Sequence, residues 1–413
     1  MSLKLRLIIM NFLQFFIWGA WLISFGSYAG GKLNFTGVQI GSFFATMGIA
    51  SLFMPALLGI IADRWVPAQK LYGFCHFAGA ILLIAASFQT AYLPLYVLML
   101  ASVMVYMPTL ALSYTVAYNA LTKVKMDVIK DFPPIRVWGT IGFICAMWTV
   151  DLTGFKYSET QLCVSAVAAF VLGIYSFMLP KCEINKKPET KSLIDVLGLR
   201  AFTLFKDRRM VIFFFFSMLL GAALQITNGF GDLFLGDFAN IPEYEHSFGV
   251  EHSVILLSVS QISETLFILT IPFFLRRFGI KKVMLMSMFA WVLRFGFFGI
   301  GNPGDGLSFL LLSMIVYGMA FDFFNISGSL FVEQTTNHKI RASAQGVFML
   351  MTNGIGAIIG SYAAGAIVDK FVKNAQEPSW STAWLIFAAY ALVIGILFAI
   401  FFKYKQEPAK QKI

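Results

Sequence analysis

Residues 258–274 read SVSQISETLFILTIPFF, and residues 315–328 read IVYGMAFDFFNISG. Each is an apolar stretch with one carboxylate near its centre, Glu264 in the first and Asp322 in the second. A helix needs about 20 mostly apolar residues to cross the hydrocarbon of a bilayer, and both stretches sit inside runs of that length. A charged side chain at that depth costs about 2.5–3.5 kcal/mol even on insertion scales, so it normally faces a polar pathway or a partner and carries function.

The rest of the chain has the same character. Of its 413 residues 58% are hydrophobic and 13% charged, against about 45–50% and about 25% in soluble domains. Phe alone accounts for 45 residues, which suits lipid-facing and bundle-filling surfaces. The expected fold class is all-α integral membrane. Twelve spans are expected, at roughly 5–28, 40–62, 71–89, 93–119, 132–154, 159–180, 210–232, 252–275, 281–300, 307–333, 342–368 and 382–403. The N-terminus has a basic start and a long apolar run without a small-residue cleavage site, so it is expected to stay as the first span.

The longest basic interruption is 181–209, KCEINKKPETKSLIDVLGLRAFTLFKDRR. It divides the chain into an N-terminal six-helix unit (1–180), a cytoplasmic linker (181–209) and a C-terminal six-helix unit (210–413). Within the linker, LIDVLGLRAFTLF reads as a short amphipathic helix on the membrane surface. The acidic segment 233–251 is the longest loop on the other side.

Charge placement sets the orientation. The net charge of +10 could signal nucleic-acid binding, but no basic stripe with interleaved aromatics lies on a soluble module. Of the 31 Lys and Arg, only Lys32, Lys156, Lys370 and Lys373 fall on the side opposite the N-terminus. Arg136 and Arg294 fall within spans, and all others lie on the side of the termini. The positive-inside rule then places both termini and the linker in the cytoplasm. The four cysteines, Cys75, Cys145, Cys163 and Cys182, show no metal-type spacing and read as small core residues. No metal or cofactor is implied.

The two halves echo each other. GIIADRWVPAQK (59–70) follows the second span, and FFLRRFGIKK (273–282) follows the eighth. Both are basic turns between the second and third helix of a six-helix half. A parallel repeat of this kind is the major facilitator design, with substrate bound near the midplane between the halves. The Gly59-x3-Asp63-Arg64 pattern resembles that superfamily's loop motif.

Residues three, four or seven apart share a helix face. Arg136, Thr140 and Phe143 form one stripe on span 5, after Pro133-Pro134 opens the helix; alternatively Arg136 is an edge cation that snorkels to headgroups. Gln225 and Asn228 pair on span 7, and Gln261 and Glu264 on span 8. Amides both donate and accept, which suits an uncharged polar solute, although they also bond helix to helix. On span 10, Tyr317 and Phe321 share a face and Asp322 pairs with Asn325. Asp322 lies about 100° round the helix from Phe321, so it belongs beside the aromatic face. Burial favours the uncharged form of an acid, so Glu264 or Asp322 can hold and release a proton; the plain alternative is a structural ion pair with Arg294. Gln14, Trp18 and Trp21 read as core packing, His76 as a core group, Tyr114, Tyr118 and Asn119 as possible cavity residues, and Asp63 and Glu333 as gate or capping charges at helix ends.

In their local context these residues resemble the bacterial nucleoside:proton symporter family of the major facilitator superfamily. The matching segments are FLQFFIWGAWL (12–22), MPALLGIIADRW (54–65), DFPPIRVWGTIGF (131–143), LQITNGFGDLFL (224–235), SQISETLFILTIPFFLRRFGIKKVM (260–284), SMIVYGMAFDFFNISGSLFVE (313–333) and IRASAQGVFMLMTNG (340–354). The resemblance implies substrate contacts at Arg136, Thr140, Phe143, Gln225, Asn228, Gln261, Glu264, Tyr317 and Phe321. It implies proton coupling at Asp322 and Glu264, purine and pyrimidine nucleosides as substrates, and a monomer in the bacterial inner membrane. A pocket without clustered Lys or Arg argues against nucleotides, whose phosphates want several cations. The rivals are a sugar:proton symporter, a drug:proton antiporter, and a membrane enzyme or sensor. The chain has only four His, none beside an intramembrane carboxylate, which speaks against the enzyme.

Overall fold

The computed structural model describes residues 2–182, 199–337 and 340–404. Among them twelve long helices run along the chain, with shorter helical turns between some of them. The first six are α1 (Leu3–Gly19), α2 (Gly37–Arg64), α3 (Ala68–Ser87), α4 (Tyr92–Lys123), α5 (Val128–Leu152) and α6 (Thr160–Ser176). The second six are α7 (Arg208–Asp237), α8 (Ser253–Phe278), α9 (Ile280–Ile300), α10 (Leu307–Thr335), α11 and α12 (Trp380–Phe401). The helix α11 runs from Arg341–Met349 through a π-helical Leu350–Gly356 into Ala357–Val368 and a second π-helical stretch, Asp369–Lys373.

These helices form the two six-helix bundles of the major facilitator fold. In the first, α1 packs on α5 while α3 packs on α4 and α6; in the second, α10 packs on α8 and α9, and α12 on α9. The bundles meet where α2 lies against α11 and α5 against α8. Three expectations need adjustment. The first span does not run straight to residue 28: α1 ends at Gly19 and is followed by short turns, including a π-helical Tyr28–Lys32. Pro133 and Pro134 do not open α5 but lie inside it, a little over one turn after Val128. They are the sixth and seventh residues of the helix, past the four N–H groups that lack intrahelical partners, so each removes one hydrogen bond to the carbonyl four residues back. The expected surface helix 193–205 falls partly outside the described residues; its described end belongs to a 3-10 helix, Leu199–Lys206. The Asp63 side chain also lies outside what is described.

Glycine sets how closely the bundles approach on the side away from the termini. A Cβ on Gly41 would lie 2.1 Å from the Ser361 carbonyl oxygen, one on Gly37 2.4 Å from that of Gly365, and one on Gly48 2.6 Å from that of Gly354. Only backbones without side chains can meet at these distances. Towards the termini the contact is lost: a Cβ on Gly59 would meet nothing within 4 Å.

A buried polar latch spans the same sealed side. From the first bundle, Ser27 Oγ donates to Asp232 Oδ2 (2.5 Å), and Asp232 Oδ1 accepts from Ser253 Oγ (2.6 Å). Lys156 Nζ donates to the carbonyls of Val250 (2.9 Å) and Glu251 (2.7 Å) and to Ser253 Oγ (2.9 Å). It also lies 3.8 Å from Asp151 Oδ1. Asp151 accepts from the Val254 backbone N–H (3.3 Å) and pairs with His252 Nδ1 at 2.7 Å. Asp151, Lys156 and Asp232 are each at most 5% exposed. A little further out, Asp369 accepts from the Gly37 and Val38 N–H groups at the start of α2 (2.5 and 2.9 Å), and Lys373 Nζ donates to the Phe35 carbonyl.

Removing one partner from a buried charge cluster costs about 3–5 kcal/mol, because the remaining charge stays buried. The exposed Lys32–Glu159 pair is worth about 0–1 kcal/mol. Lys156→Met should therefore lower the thermal midpoint of the purified protein in detergent clearly more than Lys32→Met does. Equal midpoints for the two variants would show that the latch does not hold the bundles together.

Candidate functional site

Between the bundles lies a cavity of about 750 Å³, within the usual range for small-molecule sites, about 300–1,000 Å³. On the side of the termini it is bordered by Ser51, Pro55 and Ala56 of α2 and by Ser343, Gly346 and Asn353 of α11. Asn353 belongs to the π-helical stretch of α11, a local widening that recurs at functional sites.

One wall comes from the first bundle and carries Arg136, Thr140 and Phe143 along α5. The other comes from the second bundle: Gln225 and Asn228 of α7, Gln261 and Glu264 of α8, Tyr317 and Phe321 of α10. The helix-face spacing therefore selected residues that the fold brings together across two bundles. Asp322 does not line the cavity. It is 6% exposed, on the flank of α10 beside the aromatic face, and its Oδ2 has no hydrogen-bond partner among the described residues. Its charge and that of Glu264 interact, and Glu264 is also within electrostatic reach of Arg136.

Arg136 is held rather than free to snorkel. Its Nε donates to the Tyr114 hydroxyl (3.1 Å), and its guanidinium carbon lies 4.0 Å from the Phe15 ring centroid. Gly139 makes room for this stack, since a Cβ there would sit 2.6 Å from Phe15 and 2.8 Å from Arg136 Nη1. Among the described residues, no carboxylate comes within ion-pair distance of Arg136. Tyr114 thus supports the cavity from behind instead of lining it. Tyr118 packs edge-on against Phe132 (4.8 Å) and Asn119 bonds back to the Thr115 carbonyl (2.9 Å), so neither lines the cavity.

Trp18, expected in the core, lines the cavity beside Phe143. Its ring meets Phe143 edge-on at 6.2 Å, and its indole N–H has no acceptor among the described residues. Its stripe mates do pack inward. Gln14 donates to Thr109 Oγ1 (2.8 Å) and accepts from the Tyr72 hydroxyl (2.6 Å), with His76 Nε2 at 3.0 Å. Trp21 is 4% exposed. Glu333 pairs with Arg341 at 2.6 Å where α10 ends and α11 begins, as expected of a charge at a helix end. Arg294 forms no ion pair with Glu264 or Asp322 among the described residues, so the structural-pair alternative for those acids does not hold.

On the second wall the rings of Tyr317 and Phe321 are parallel within 1°, with centroids 5.9 Å apart. Oε1 of Gln225 and of Gln261 is buried with no partner among the described residues, on two side chains that line the cavity. Glu264 is half-buried. Flat aromatic surface, unpaired amide acceptors, one cation and one acid suit a flat, uncharged, hydroxylated solute better than a multiply charged one. The acid Asp232 escaped the reading because the expected span boundary fell on it. The available signal was an acid one turn beyond Asn228 within an apolar run.

Comparison with known proteins agrees with this arrangement. The family model described as "Nucleoside H+ symporter" matches residues 1–407. The chain is 52% identical over 413 residues to the xanthosine permease of Escherichia coli K12, covering 100% of this chain and 99% of that protein. It is also 52% identical over 406 residues to the nucleoside permease NupG of Escherichia coli K12, covering 98% of this chain and 97% of that one. The crystal structure of the nucleoside transporter NupG superposes with a TM-score of 0.92 at 51% identity, over 98% of this chain and 100% of that one. A peptide transporter of the POT family, at 12% identity and a TM-score of 0.71 over 99% and 98% of the two chains, shares the fold alone. With fold, cavity walls and sequence in agreement along nearly its whole length, the chain belongs to the nucleoside H+ symporter family.

Proposed function

We propose that the protein imports nucleosides together with protons across a bacterial inner membrane by alternating access. The observation that carries this reading is the two-walled cavity: each residue expected to touch a nucleoside lines it, three from the first bundle and six from the second. Arg136 and Thr140 bond the ribose hydroxyls or a base edge, Gln225, Asn228 and Gln261 bond the rest of the polar rim, and Phe143, Tyr317 or Phe321 stacks on the base. Both termini lie in the cytoplasm, from the placement of Lys and Arg. The cavity is then open to the cytoplasm and sealed outside by the glycine contacts and the polar latch. The units 1–180 and 210–413 act as the moving bodies, joined by the linker 181–209, and the carrier works as a monomer.

Proton coupling is assigned to Glu264 and Asp322. Glu264 sits at the cavity wall, and Asp322 lies behind the aromatic pair with a free oxygen. Taking up a proton removes a buried negative charge from the second bundle and lets the loaded carrier reorient. A charge carried through 100 mV is worth about 2.3 kcal/mol, enough to drive accumulation.

Two outcomes are expected in proteoliposomes with an imposed pH gradient. Asp322→Asn should abolish gradient-driven accumulation of labelled nucleoside; a variant that still concentrates uridine or xanthosine would contradict the assignment. Unlabelled nucleosides should compete for uptake and hexoses should not, whereas competition by hexoses alone would favour a sugar carrier. Tyr114→Phe frees one edge of Arg136 and removes a hydrogen bond worth about 1 kcal/mol. It should raise the half-saturation concentration roughly fivefold, and an unchanged value would show that Arg136 does not need Tyr114.

A further inference from the structure

One intramembrane charge is used neither by the cavity wall nor by the latch. Arg294 on α9 is 3% exposed. Its Nη1 donates to Ser260 Oγ (3.2 Å) and to the Ser313 carbonyl (3.0 Å), and Ser313 Oγ donates back to the Arg294 carbonyl (2.8 Å). Its Nε has no acceptor among the described residues. The guanidinium carbon lies 4.3 Å from the centroid of the Tyr317 ring, with the rings of Phe298 at 5.3 Å and Trp291 at 6.0 Å.

A guanidinium stays charged in any protein environment. Packing alone would not select it here, since an apolar side chain of similar volume would fill the space without burying a charge. What only a planar cation can do at this place is hold an aromatic face and grip two helices at once. Cation–π attraction strengthens when both groups are desolvated, and Tyr317 is 5% exposed. The two serines are also telling. Ser260 directly precedes Gln261 and lies one turn before Glu264 on α8. Ser313 lies one turn before Tyr317 on α10. Trp291, on the same helix as Arg294, meets Tyr317 edge-on (6.0 Å, 89°).

We infer that Arg294 is a positioning residue: it fixes the ring plane of Tyr317 and, through Ser260 and Ser313, the spacing of α8 and α10, so that the amide and aromatic parts of the second wall meet a nucleoside in one preset geometry. This rests on the proposed nucleoside transport. Arg294 does not touch the solute, because it lies behind Tyr317 and outside the cavity lining. Its contribution is therefore to binding, through another residue, more than to the reorientation step.

The test is a double-mutant cycle on uptake of labelled uridine and xanthosine into proteoliposomes. Arg294→Gln should raise the half-saturation concentration about tenfold while the maximal rate changes much less. Tyr317→Ala should do the same, and the loss in the double variant should fall well short of the product of the two single losses, because they share the Arg294–Tyr317 contact. Arg294→Lys keeps a cation but not the planar fork; it should retain at least half of the Arg294→Gln loss, and it replaces the Gln variant in the cycle if that one does not assemble. Multiplying losses in the double variant, or a wild-type half-saturation value in the single ones, would overturn the role of Arg294 while leaving nucleoside transport intact. Wild-type vesicles that take up neither nucleoside would instead overturn the transport reading, and this inference with it.

Discussion

No ionisable side chain can sit in the interior of a membrane bundle unless protein dipoles or an aqueous gap replace its water. The buried charges of this protein meet that constraint in graded ways, and the grading follows position. Lys156 is bonded to two carbonyls and a hydroxyl, and Asp232 to two hydroxyls, at the sealed end. Near the midplane the bonding thins out. Glu264 opens onto the cavity, and Asp322 keeps one oxygen without a partner. Fully bonded charges hold a shape, because each bond must break before the group can move. Under-bonded acids are the ones free to change their protonation without dismantling anything around them.

This division also separates the two tasks of a symporter. In the proposed cycle, gating falls to contacts that cross between bundles: Ser27 to Asp232, Lys156 to the carbonyls before α8, Asp151 to His252. Recognition, on the same proposal, falls to side chains mounted on different bundles and facing one gap. The cation of Arg136 is mounted on the first bundle over Phe15, and the acid Glu264 on the second, so a relative movement of the two changes their mutual field. A solute that bonds both walls is read only while the walls are in register.

Much of this was legible in the sequence because hydrocarbon restricts the choices. A polar residue inside an apolar run must have a reason, and the 3.6-residue period says which polar residues share it. Arg136, Thr140 and Phe143 emerged as one stripe, and the cavity contains that stripe. The period cannot say which face of a helix meets which neighbour. Trp18 and Trp21 share a stripe with Gln14, yet the first reaches the cavity while the others pack inward. Nor can it show a side chain acting through a second one, as Tyr114 does for Arg136. The latch was invisible for another reason: Lys156 and Asp151 lie at helix ends, where charges are ordinary, and only the fold brings Lys156 against carbonyls, and Asp151 against an N–H group and His252, of the other bundle.

The glycine contacts between α2 and α11 carry a mechanical consequence. Where Gly37 and Gly41 meet Gly365 and Ser361, backbone touches backbone with almost no side chain interleaved. At these points there are few knobs to withdraw from holes and few rotamers to reset, so the two backbones can slide or part with little interlock. The resistance of the seam grows with the area in contact. The pace of opening on that side is then governed by the handful of directional polar bonds beside it, much as a sliding door is held by its catch and not by its rail.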